Sequence, residues 1–203
     1  MNVRIGLAQH RIGPDMEENL RQAQRAVLAC AGQGAQLVLL PEMFCCLYQL
    51  ERLRACAQPR GGEIWKQLRA LACQAGVYLL GGSMPELDAQ GRIYNTSFFF
   101  SPAGEELACY RKCQLFDVSL PGGLCIQESS VFTPGEQLRV VESPFGKIGL
   151  AICFDLRFPE QFRALADRGA QLVLVPAAFN STTGPAHWEI NCRSRALDNQ
   201  VFL

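Results

Sequence analysis

One stretch of sequence occurs twice. Gly34-Ala35-Gln36-Leu37-Val38-Leu39-Leu40-Pro41 returns as Gly169-Ala170-Gln171-Leu172-Val173-Leu174-Val175-Pro176, and only Leu40 and Val175 differ. An earlier segment, Arg4-Ile5-Gly6-Leu7-Ala8, is echoed in the same order by Lys147-Ile148-Gly149-Leu150-Ala151. Each pair of apolar runs flanks a helical pattern. In the first, Pro14 and Asp15 open a helix in which Leu20, Ala23, Val27, Leu28 and Ala31 recur at helical spacing, and Gly32 and Gly34 close it. In the second, the helix runs from about Pro159 to Arg168. A helix of this length can cross between parallel strands, so each half reads as a β-α-β unit. Two like units imply two related half-sheets. The segment from Val3 to Gln9 reads as a buried strand.

Between the halves, Ile64 to Ala75 reads as a helix with Ile64, Leu68, Leu71 and Ala72 on one face, followed by a strand from Val77 to Leu80. Ile93 to Phe100 and Glu105 to Tyr110 read as antiparallel strands around the turn Ser101-Pro102-Ala103-Gly104. The segment from Asp117 to Gly135 reads as a loop rich in Gly and Pro. A last helix runs from about Pro185 to Asp198, and Val201-Phe202-Leu203 reads as a strand. No composition break marks a second domain.

Composition excludes several function classes. Lys plus Arg equals Asp plus Glu, 19 against 19, which gives no electrostatic reason to expect nucleic acid or an anionic membrane as partner. No apolar run approaches the length of a membrane span. Met1 to Gly13 lacks the apolar run and cleavage site of a signal peptide. The ten cysteines include no C-x-x-C pair, and His10 and His187 are the only histidines. A reducing cytoplasm is expected, with cysteines such as Cys30, Cys73 and Cys192 serving as small hydrophobes and no metal or organic cofactor.

Reactive groups in α/β folds gather at the carboxyl ends of parallel strands. The run Leu37 to Leu40 delivers Glu42, and Ile148 to Ile152 delivers Cys153 at a strand–turn–helix junction. Such a junction leaves a backbone N–H to hold an oxyanion. A thiol has an ordinary pKa of about 8.5, so attack as thiolate needs a base or a positive charge beside it. Neither histidine sits in a cysteine-protease signature. A buried carboxylate can serve as the base, and a lysine can steady thiolate and oxyanion. Lys112 ends the central hairpin, and Glu128 follows in the Gly/Pro loop. From position alone, a strand cysteine is more often packing than nucleophile, and many buried strands end in Pro-Glu.

Leu39-Leu40-Pro41-Glu42, Tyr110-Arg111-Lys112 and Cys153-Phe154-Asp155-Leu156-Arg157-Phe158-Pro159-Glu160 resemble, in order, the three signature segments of the nitrilase superfamily of carbon–nitrogen hydrolases. Gly184-Pro185-Ala186-His187-Trp188-Glu189 resembles the branch holding omega-amidases and deaminated-glutathione amidases. Gly81-Gly82-Ser83-Met84-Pro85-Glu86 and Phe179-Asn180-Ser181-Thr182-Thr183 resemble omega-amidases more closely. The resemblance implies an α/β fold, a four-layer α-β-β-α sandwich. It implies a triad carried onto Glu42, Lys112 and Cys153, with a second glutamate at Glu128. It also implies a substrate carboxylate held by Arg157 and Thr183, with the Phe154 N–H at the oxyanion. The activity implied is hydrolysis of the terminal amide of a small carboxylate, an omega-amide of a 2-oxo acid.

Relatives usually carry His where this chain has Gln114, which implies altered support of Lys112. They also continue past Leu203, so residues 1–203 are expected to be a single domain lacking the family's C-terminal strands, and a homodimer in full-length form. Two alternatives stand beside the amidase reading. One is another nitrilase-family enzyme acting on deaminated glutathione, carbamoyl compounds or nitriles. The other is an inactive truncated paralogue serving as an interaction module. Among single residues, His187 and Trp188 read as capping and packing a helix, and Asp155 as a helix cap. Arg157 reads equally as a scaffold ion pair or a substrate contact. Cys45, Cys46, Cys109 and Cys113 read as packing.

Overall fold

The computed structural model describes residues 2–119 and 125–203, and in it the repeated segments form two parallel strand pairs. In the first half, β1 (Ile5–Leu7) leads through α1 (Met16–Gly32) to β2 (Leu37–Leu39). Asp15 caps α1, its carboxylate accepting from the Glu17 and Glu18 N–H groups. Gly34 turns the chain with φ at 82°, a conformation that glycine adopts without strain. A short α2 (Leu50–Ala55) and α3 (Glu63–Ala75) then precede β3 (Tyr78–Leu80), β4 (Met84–Leu87), β5 (Ile93–Phe100) and β6 (Glu106–Arg111). The buried residues of α3 are Ile64, Leu68, Leu71 and Ala72, the face expected from the spacing.

These strands make one six-stranded sheet, in which β1, β2 and β3 run parallel. Strand β5 is long enough to pair with β4 and β3 along one edge and β6 along the other. A small hairpin follows, β7 (Asp117–Ser119) with β8 (Cys125–Gln127), and then a 3₁₀ turn, Glu128–Ser130. The expected loop from Asp117 is therefore partly ordered structure, while residues 120–124 of that expectation lie outside the described residues. The second half has β9 (Arg139–Ser143), β10 (Gly146–Leu150), a 3₁₀ turn at Cys153–Arg157, α4 (Pro159–Asp167), β11 (Leu172–Leu174) and α5 (Gly184–Asn199). Its sheet has the order β11-β10-β9. Phe202 adds a single parallel bridge to Leu172, in place of the strand expected at Val201–Leu203.

Three apolar clusters define four layers. The first packs Ala23 and Val27 of α1 and Leu68 of α3 on Val38, Leu79 and Phe98 of the large sheet. The second lies between the sheets and joins Leu37, Leu80 and Phe99 to Ile148, Leu150 and Leu172. The third packs Phe162 and Leu165 of α4 and Cys192 of α5 on Val173 of the small sheet. The arrangement is α-β-β-α.

Two expectations about burial need correction. Leu7 is 72% exposed, because β1 is the edge of its sheet and, among the described residues, nothing covers that side of its end. Cys73 is exposed rather than packed, since the inward face of α3 is taken by its four apolar residues.

Candidate active site

The reactive groups arise from four chain segments. After β2, Pro41 turns the chain and Glu42 is fully buried. This turn is held from behind. Met43 N–H donates to Ser83 Oγ at 3.1 Å, and Ser83 N–H donates to Pro41 O at 3.3 Å. A Cβ on Gly82 would sit 2.1 Å from Pro41 O, so only glycine allows this approach. From β6, Lys112 points inward, its own N–H bonded to Asn95 O at 2.8 Å. Glu128 comes from the 3₁₀ turn after β8, and Cys153 from the end of β10. Met43 and Cys153 both have left-handed backbone, with φ at 51° and 46°. Such geometry in a non-glycine residue costs about 1–3 kcal/mol and clusters at functional sites.

Lys112 Nζ lies 3.1 Å from Glu42 Oε1 and 3.0 Å from both oxygens of Glu128, with all three side chains at zero exposure. Glu42 Oε1 also accepts from Asn95 Nδ2 at 2.9 Å. Its other oxygen accepts from the Ala178 N–H at 2.9 Å, so the carboxylate bridges the two halves of the fold. Glu128 Oε2 accepts from the Phe116 N–H at 2.6 Å. Glu128 thus stands behind Lys112 as its anchor.

Burial and carboxylate neighbours set the proton affinities. Burial pushes the Cys153 thiol well above its ordinary value and the Glu42 carboxylate adds to this, while the Lys112 charge and the Ala178 N–H pull the other way. Burial alone would lower Lys112, but Glu42, Cys153 and Asp155 outweigh it and hold the ammonium above the usual lysine value. Burial, then the Glu42 charge, pushes Glu128 up to about 9 against the Phe116 N–H. Burial thus favours the protonated thiol, which sits beside the Glu42 carboxylate with the Lys112 ammonium alongside.

Asp155 ties the segments together. Its buried carboxylate accepts from Tyr110 Oη at 2.6 Å, from the Gln114 N–H at 2.9 Å and from the Ile152 N–H at 2.8 Å. The cap at Ile152 is the role expected for it. The Gln114 contact to Asp155 runs through its main chain, which any residue supplies.

The site opens into a cavity of about 170 Å³ lined by Glu42, Lys112 and Cys153, with Phe154, Arg157 and Thr183 on its walls. Larger grooves among the described residues, about 450 Å³ beside α1 and α3, about 630 Å³ beside β1 and α5 and about 400 Å³ beside β4, β5 and β6, are lined by neither Cys153 nor Lys112. Arg157 Nη2 lies 2.8 Å from His187 Nδ1, its Cζ lies 5.6 Å from the centre of the Phe154 ring, and its Nε is buried without a partner. Thr183 directs its N–H and its hydroxyl to Asn180 Oδ1, at 2.8 and 3.3 Å. Sequence reasoning missed Asn95, Ala178, Tyr48, Phe116 and Ile126. Asn95 alone had a signal, a polar side chain inside a strand of otherwise inward-facing residues, which is costly unless it holds something. Among the described residues no group of three or more His, Cys, Asp or Glu could hold a metal ion, and no helix is long and apolar enough to cross a membrane.

Fold and site together define an α-β-β-α hydrolase architecture, with thiol, ammonium and carboxylates buried at one end of two facing sheets. The family description carbon–nitrogen hydrolase matches residues 4–203, and the chain belongs to that family. Omega-amidase NIT2 of Xenopus tropicalis is 43% identical over 200 residues, which are 98% of this chain and 72% of that protein. The Homo sapiens omega-amidase NIT2 is likewise 43% identical over the same shares. Among solved structures, Saccharomyces cerevisiae Nit3, a member of branch 10 of the nitrilase superfamily, matches with a TM-score of 0.88 at 35% identity, covering 98% of this chain and 73% of that one. A mutant amidase from Nesterenkonia sp. AN1, with acrylamide added at its active-site cysteine, matches with a TM-score of 0.83 at 32% identity, covering 98% and 76%. These relatives support amide hydrolysis.

Proposed function

We propose that this chain hydrolyses the terminal amide of a small carboxylate, an omega-amide of a 2-oxo acid such as 2-oxoglutaramate or 2-oxosuccinamate, to acid and ammonia through a thioester on Cys153. The carrying observation is the convergence of Glu42, Lys112 and Cys153 on a small cavity whose wall holds Arg157. Glu42 takes the thiol proton and the thiolate attacks the amide carbon. Lys112 and the Phe154 N–H, near the start of a 3₁₀ turn, stabilise the oxyanion. Glu42 returns the proton to the departing ammonia. Water then attacks the thioester with Glu42 as base and releases the acid. Glu128, bonded to Lys112, aids Glu42 in this step. No metal or organic cofactor enters these steps.

The cavity supports the substrate class. A cavity of about 170 Å³ has room for a short carboxamide. Among the described residues Arg157 has no carboxylate within ion-pair distance, which favours a substrate contact over a scaffold pair. Thr183 at the same wall offers a hydroxyl. We read the setting as cytoplasmic, the whole protein as a homodimer and the partner as a small-molecule amide, with no nucleic acid or membrane; the zero net charge supports the last part.

A substrate panel tests the reading. Ammonia release should be fastest from amides carrying a carboxylate a few carbons away, and slower from neutral amides, nitriles and N-carbamoyl compounds. Arg157→Ala should lose roughly 2–5 kcal/mol of kcat/KM on the anionic amides and little on neutral ones. Faster turnover of neutral amides by the unmutated protein would overturn the substrate, and absence of any turnover would favour an interaction module.

A further inference from the structure

Arg157 reaches the cavity wall without an acidic partner, and what holds it is a histidine. Nη2 lies 2.8 Å from Nδ1 of His187, in the first turn of α5. A guanidinium can only donate. Nδ1 must therefore accept with its lone pair, which places the ring proton on Nε2. The backbone of His187 is fixed in turn, since its carbonyl accepts from Asn191 Nδ2 at 2.7 Å.

We propose that His187 is a positioning residue for Arg157, and that its neutral ring is required for tight binding of anionic amides. The proposal rests on the reading of Arg157 as the carboxylate contact. When the ring takes a second proton, both nitrogens become donors and two cations face each other at hydrogen-bond distance. The contact breaks, and the guanidinium loses the partner that aims it.

The surrounding charges leave His187 as the group that distinguishes substrates. On the turn that carries Arg157, Asp155 faces inward to Tyr110, Gln114 and Ile152. On α4, Glu160 and Arg163 are exposed, and Arg163 donates to Asp198 O at 2.8 Å. On α5, Glu189 pairs with Arg193 at 2.8 Å, Arg195 donates to Leu156 O at 3.0 Å, and Asp198 Oδ2 lies 3.8 Å from Arg195. Across the cavity, Glu42, Lys112 and Cys153 meet every amide alike, so their titration is common to neutral and anionic substrates.

The test compares KM for an anionic 2-oxo amide and a neutral amide of equal length. On acidification the ratio of the two KM values should rise about tenfold as the ring takes its second proton. In His187→Asn the side-chain oxygen replaces Nδ1 as an acceptor that does not titrate, and the ratio should become flat. His187→Leu should raise the anionic KM before and after acidification. An acid-induced rise that persists in His187→Asn would overturn the proposal, as would an unchanged anionic KM in His187→Leu. A second measurement needs no turnover. Imidazole nitrogen NMR of the unmutated protein, with two histidines to assign, should show the His187 proton on Nε2 at neutral pH and a response to Arg157→Ala. A proton on Nδ1 would overturn the contact itself. Loss of all preference for anionic amides at every pH would instead remove the substrate reading beneath it, even with the tautomer as expected.

Discussion

The two β-α-β units share a sequence but divide the chemistry. Their registers match, Ile5, Gly6 and Leu7 facing Leu37, Val38 and Leu39 as Ile148, Gly149 and Leu150 face Leu172, Val173 and Leu174. Yet the first unit places its reactive group after its second strand, at Glu42, and the second places its own after its first strand, at Cys153. At the corresponding positions stand Ala177 and His10. Their surroundings differ as well. Leu7 is 72% exposed and Leu150 fully buried, because β10 lies between two strands and faces the other sheet while β1 is an edge. A repeated pattern sets the strand; its neighbours set what the strand buries and what it presents.

The largest expected effect separates the two units chemically. Cys153→Ala should abolish turnover, whereas His10→Ala should leave it measurable. Mass spectrometry after a substrate quench should find the acyl group on Cys153, and an adduct on any other residue would break the assignment. Next comes burial. Leu150→Ala should destabilise by about 2–5 kcal/mol in denaturant unfolding, and Leu7→Ala should stay within about 0.5 kcal/mol of the parent. Equal losses would mean that something covers β1.

The paired glycines sharpen the comparison further. A Cβ on Gly6 would sit 2.6 Å from Cys30 Cβ, whereas on Gly149 the nearest atom is Ala170 Cβ at 3.2 Å. Gly6→Ala should therefore cost about 1–3 kcal/mol through overpacking, and Gly149→Ala measurably less. The last comparison is a slope. Glu128 is pushed up to about 9 from an ordinary 4.5, so folding takes up a proton between those values. Its contribution to stability is full below the lower value and is lost as pH rises through the upper one. Glu128→Gln fixes the neutral form and should flatten the fall in unfolding free energy from about pH 5 to about pH 9. A slope unchanged by the substitution would show that the carboxyl is ionised throughout.

Much of this was legible in the chain. The periodicity of α1 and α3 and the two echoes located both units, while strand ends alone left Glu42 and Cys153 ambiguous and the resemblance of three segments to the nitrilase signatures singled them out with Lys112. What escaped has physical reasons. Strand β4 contains Pro85, which argues against a central strand but is tolerated at the sheet edge it occupies. The Ala178 and Gln114 bonds are made by main-chain N–H groups, which leave no mark in residue identity. Leu7 looked buried because an apolar residue in a strand carries no record of which side its sheet leaves uncovered.

The bridge from Glu42 to Ala178 has a consequence in time. Synthesis runs from the amino end, so the residues that hold Oε1, Asn95 and Lys112, emerge before the thiol does. The amide that holds Oε2 emerges after it. A nascent chain that has reached Cys153 but not Ala178 carries acid, cation and thiol without the last restraint on the base. The hydrogen-bond network of Glu42 closes only once the second parallel strand pair has been made, and a shorter nascent chain lacks one of the bonds that hold its carboxylate.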